Sequence, residues 1–174
     1  MNKKPLLSVR DVAVLGIMTA VLEAAKLALD FLPNVELVTL LLMVYTIFYG
    51  GKTLIVVLAF TLIECFTKGI HVWVIMYLYM WPLLILIVYL ANKRGAGHLF
   101  YCILAAFYGL FFGLFCSIPY LFIGGISMAF TWWIAGIPYD LVHCISNFIL
   151  CLILFRPLCA VMRRVKEMSP QKRR

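Results

Sequence analysis

Long apolar runs, parted by short polar or glycine-proline breaks, organise this chain. The first run, at about 11–31, lies behind a basic leader. Leu32-Pro33-Asn34-Val35-Glu36 follows it as a proline-marked turn. Shorter runs at about 37–49 and 53–66 flank Gly50-Gly51-Lys52. A fourth run, at about 71–91, comes after Thr67-Lys68-Gly69. The fifth and sixth cover about 98–118 and 129–154, with Pro119 to Met128 between them as the longest outer connection. A bilayer crossing takes ~20 residues, so the pattern predicts an all-α integral membrane bundle of six transmembrane helices. The two short runs are expected to tilt or to leave a depression on the outer face. Pro82 is expected to kink the fourth helix, and Gly136-Ile137-Pro138 to break the sixth.

Composition agrees with that pattern. Of 174 residues, 66% are hydrophobic, against roughly 45–50% apolar in soluble domains. The net charge of +8 is concentrated at Lys3, Lys4 and Arg10, at Lys52, at Lys93 and Arg94, and from Arg156 to Arg174. Cytoplasmic segments carry the Lys/Arg excess of a membrane protein, so both termini are expected inside. The chain then divides into a cytoplasmic leader (1–10), a six-helix transmembrane domain (11–158) and a basic cytoplasmic tail (159–174). Beside a membrane span, such a tail reads as a topology signal that meets anionic headgroups, not nucleic acid. No cleavage site of small residues follows the first run, which is expected to be a retained span. The six cysteines show no CxxC pair and no zinc spacing, and read as small apolar residues. No metal or cofactor is expected.

The polar residues inside the apolar runs carry the candidate chemistry. Asp140, His143 and Asn147 are spaced by three and four, which puts them on one helical face. Ionisable groups at membrane depth need a partner or a water-filled cavity. Asn34, Glu36, Glu64 and Lys68 join them on the expected outer half, with Trp73, Tyr77, Trp132, Trp133 and Tyr139 as aromatic walls. A cavity of that make-up suits a small heterocyclic ligand. Alternatives stand beside each assignment. Trp132 and Trp133 also suit an interfacial belt, Asp140 with His143 a closed internal pair, Asn147 interhelical glue, and Glu64 with Lys68 a charge pair. Glu23 and Lys26, three apart on one face of the first helix, can pair, which would offset the cost of their burial. There is no HExxH motif, no base placed for Ser146 and no GxxxxGK[ST] loop, so catalysis is not expected.

Two stretches resemble a known family. The first helix places Gly16, Ala20 and Ala24 at every fourth position. The last helix reads Gly136-Ile-Pro-Tyr-Asp140-Leu-Val-His143 and runs on to Leu154-Phe-Arg156. Both resemble the substrate-binding S component of an energy-coupling factor (ECF) transporter, with His143 where many members carry lysine. The resemblance implies a multi-pass protein of the bacterial cell membrane that captures a vitamin or related micronutrient at the outer face. It implies as partners a transmembrane coupling (T) component, docked on Gly16, Ala20 and Ala24, and two cytoplasmic ATPase subunits. The competing readings are an autonomous small-solute transporter or channel, and an intramembrane enzyme.

Overall fold

A computed structural model describes residues 7–168. The leader and tail positions Lys3, Lys4, Lys172, Arg173 and Arg174 lie outside them. Every regular element among the described residues is helical: α1 (Val9–Leu29), α2 (Val38–Tyr49), α3 (Thr53–Lys68), α4 (Val72–Lys93), α5 (His98–Leu110) and α6 (Phe112–Glu167). A 3₁₀ turn, Gly50–Lys52, joins α2 to α3. Four helical stretches are long and apolar enough to cross a membrane: Val9–Leu29, Val38–Lys68, Val72–Lys93 and His98–Glu167.

Local sequence explains these elements. Ser8 caps α1, accepting from the Asp11 amide while the Asp11 carboxylate accepts from the Ser8 amide. Only one stripe of α1 is buried, Leu15, Met18, Thr19 and Leu22, at the spacing of a single helical face. In contrast, α2 is apolar all round, and Val38 to Thr46 are buried without interruption. It is the central helix, packed by Phe60 of α3 and Met76, Met80 and Leu84 of α4.

The last two runs form a helical hairpin. Helix α6 has two legs, 112–123 and 126–167, parted where Gly124 and Gly125 leave helical geometry. Gly125 has φ +74°, a conformation that residues with a Cβ rarely adopt. Two expectations are thereby corrected. Pro119 to Met128 is not an open connection, because helix continues on both sides of the glycine pair. Nor does Gly136-Ile137-Pro138 break the second leg. Proline removes one donor but keeps a helical φ, whereas reversal needs the positive φ that Gly125 supplies. Pro82 likewise sits inside an uninterrupted α4.

The legs approach closely because of two further glycines. The Gly113 amide donates to Asp140 Oδ1 at 2.9 Å. A Cβ on Gly109 would lie 2.7 Å from the His143 carbonyl carbon. At one end of the bundle the start of α1 meets the end of α6: Arg10 donates to the Met168 carbonyl, Lys52 pairs with Asp11, and Lys166 donates to the Phe48 carbonyl. The last helix thus runs beyond 158 to Glu167. Helix α1, about 30 Å long, carries the chain from this basic end to the turn at residues 30–37.

Candidate functional site

That turn is fastened to the second leg of α6 by three contacts. Asn34 takes a left-handed φ of +57°, which asparagine tolerates better than most residues. Its side-chain amide donates to the Tyr139 carbonyl at 3.2 Å, and its own carbonyl accepts from the Ser146 hydroxyl at 3.1 Å. Glu36 Oε1 lies 3.1 Å from His143 Nε2, while its other oxygen accepts from the Thr39 amide at the start of α2. Burial disfavours the Glu36 carboxylate, but the His143 imidazole and the Thr39 donors outweigh it and hold its pKa below the ordinary value.

Beneath the turn lie two adjoining cavities of about 300 and 350 Å³. Asn34, Trp73 and Phe112 line both. Helix α4 supplies Trp73, Tyr77 and Trp81, spaced by four and therefore on one face. Trp73 stacks on Phe112 with ring centroids 5.9 Å apart, Tyr77 leans on Trp81 at 5.7 Å, and Phe112 meets the His143 ring at 4.7 Å. The first cavity is edged by Lys26, Glu36 and His143, and the second by Asp140, Tyr139 and Trp132. Trp132 is held by a stack on Tyr120 at 4.3 Å. Flat apolar walls with a few polar groups at the rim suit a small ring-bearing ligand.

Other predicted site residues stand apart. Asn147 is buried and its amide points at the Ala105 carbonyl of α5, 3.5 Å away. It holds the hairpin and lines neither cavity. Trp133 packs edge-on against Phe130, also away from both. Glu64 is buried and pairs with Lys26 of α1, so neither of the pairs open to the sequence, Glu23–Lys26 and Glu64–Lys68, forms. Glu23 keeps one buried oxygen without a partner. Lys68 pairs instead with Asp30 at 3.5 Å. Pairing across helices wins here because it gives the Glu64 charge a partner inside the bundle, where an unpaired carboxylate would be far more costly than at the surface, although Oε1 stays without one among the described residues.

Sequence reasoning missed Lys26 as a wall of the cavity, together with Phe112. The four-residue period of Trp73, Tyr77 and Trp81 was a usable signal, whereas Phe112 is one aromatic among many. Gly16, Ala20 and Ala24 form an exposed ridge on α1, and nothing lies within 4 Å of a Cβ built on Gly16. Among the described residues nothing packs over this ridge. Among comparisons with known proteins, no family model, no curated protein and no solved structure matches this chain.

Proposed function

We propose that the chain is the substrate-specific membrane subunit of an ECF-type transporter, capturing a vitamin or related micronutrient for ATP-driven uptake. The observation that carries this reading is the pair of aromatic-walled cavities roofed by the Asn34–Glu36 turn. The roof is held by a few hydrogen bonds, so it can open and close at modest expense. The cavities lie at the end of α1 remote from Arg10, Lys52 and Lys166. With the basic end inside, they face outward. In this reading α1 to α4 and the two arms of the hairpin, α5 continued by 112–123 and then 126–167, make six crossings of a bacterial cell membrane, with both termini cytoplasmic.

In the bound state Trp73 and Phe112 stack on the ligand ring. Asn34, His143 and Asp140 supply hydrogen bonds, and Lys26 contributes a positive charge at the rim of the first cavity. The exposed Gly16-Ala20-Ala24 ridge docks a transmembrane coupling component, which in turn joins two ATPase subunits. Recognition fits better than catalysis on one further observation. The Ser146 hydroxyl donates to the Asn34 and His143 carbonyls and not to an imidazole, so it is not set up as a nucleophile.

The test is thermal unfolding of detergent-purified protein across a panel of vitamins and related heterocycles. A ligand present at 100 times its Kd stabilises by about 2.7 kcal/mol, enough to pick out one compound. Silence across the panel, while a control S component responds to its own vitamin, would overturn the reading.

A further inference from the structure

We propose that His98, Cys102 and Cys151 form a binding site for a soft monovalent metal ion, with Cu(I) the cation that fits. One ligand atom from each of the three lies within 4.8 Å of the others. His98 and Cys102 are four apart on α5 and so share a face. Cys151 meets them from the second leg of α6. The Cys102 sulfur is 3.3 Å from His98 Nε2, and that nitrogen is 3.2 Å from the Cys151 carbonyl oxygen. Both thiols are fully buried, and a stack on Phe155 at 5.1 Å fixes the imidazole plane. The set is separate from the cavities, since Cys151 lies two helical turns beyond His143 and lines neither.

The donor set selects the ion. Two sulfurs are soft donors, the imidazole nitrogen is a borderline donor that copper also accepts, and no carboxylate joins them among the described residues. Zn(II) takes four ligands in a closed structural site, and the cluster offers three. Cu(I) is satisfied by two or three soft ligands. Its single charge is neutralised by one thiolate, which suits the apolar surroundings. Binding then displaces at least one thiol proton to solvent, with no change of oxidation state. The ion would tie α5 to the second leg at the end of the hairpin remote from its glycine tip.

The probe is Cu(I) itself, supplied to the full-length protein in detergent under anaerobic reducing conditions. A chromogenic Cu(I) chelator serves as competitor. The expected result is one Cu(I) per chain held against the chelator, with X-ray absorption reporting two sulfur neighbours and one nitrogen. Cys102→Ser and Cys151→Ser should each weaken retention at least tenfold, whereas Cys65→Ser should leave it unchanged. Release of all copper to the chelator by the wild-type protein would overturn the proposal. So would a sulfur-only coordination shell, which needs no folded variant for its interpretation. Retention of Zn(II) but not Cu(I) would equally overturn the choice of ion.

Discussion

His143 Nε2 and Glu36 Oε1 stand 3.1 Å apart, joining the second leg of α6 to the turn that roofs the cavities. The folded protein holds the Glu36 pKa below its ordinary value of 4.5. Such a carboxylate adds stability above the unfolded-state pKa, and that increment is lost as pH falls through the lowered folded value. The melting temperature of the wild-type protein should therefore drop on acidification below about pH 4.5. Glu36→Gln should start lower at neutral pH and show a flatter profile in that acid window. Parallel profiles for the two proteins would rule out this linkage.

Lys26 and Glu64 form the ion pair between α1 and α3, with Glu64 buried. Lys26→Met strands the carboxylate, and about 3–5 kcal/mol of stability should go. The double variant Lys26→Met, Glu64→Gln should recover most of that loss, because neither charge then remains. Denaturant or thermal unfolding in detergent measures both.

Two glycines on different helices should respond oppositely to alanine. At Gly109 the new methyl would sit 2.7 Å from the His143 carbonyl carbon, where the backbone must shift. A loss of about 1–3 kcal/mol is expected from overpacking. At Gly16 the methyl meets nothing within 4 Å, and helix propensity favours alanine by roughly 0.5–1 kcal/mol. Equal melting temperatures for the two variants would contradict the close approach.

Gly16→Leu separates folding from partnership. The position is open, so thermal stability should hold or rise by up to roughly 1 kcal/mol, the helix-propensity gain of replacing glycine. Co-purification of a coupling component should nevertheless fall sharply, because a bulky side chain holds the facing helix away. Undiminished co-purification would move the docking surface elsewhere.

Trp73 touches both cavities and Trp133 neither. With a ligand in hand, Trp73→Ala should weaken binding at least tenfold, about 1.4 kcal/mol, while Trp133→Ala leaves affinity unchanged. A titration followed by thermal shift or fluorescence distinguishes them.

How far the sequence carried can be read from particular residues. The apolar runs located the helices, because burial in lipid or in a bundle leaves a continuous compositional trace. The three-and-four spacing of Asp140, His143 and Asn147 predicted a shared face, and all three are buried on α6. Their separate fates were not legible: His143 and Asp140 reach cavities and Asn147 grips α5, because that depends on where the neighbouring leg ends. Long-range pairing was equally hidden. Glu23 is closer to Lys26 in sequence, yet Glu64 takes it from α3. The cluster of His98, Cys102 and Cys151 escaped for the same reason, since its third member comes from the far leg of a hairpin.

That hairpin imposes a ruler on the chain. Gly113 with Asp140, Gly109 with His143 and Ala105 with Asn147 are matched contacts, stepping down one leg as they step up the other. One residue added between Asp140 and Asn147 would turn everything beyond it by about 100°. The cavity carboxyl would then part company with the amide that anchors its helix. Extra residues at Gly124 and Gly125 would only lengthen the tip. Length is thus free at the reversal and fixed from residue 140 to 147, so related chains that share this site are expected to differ in the first place and agree in the second.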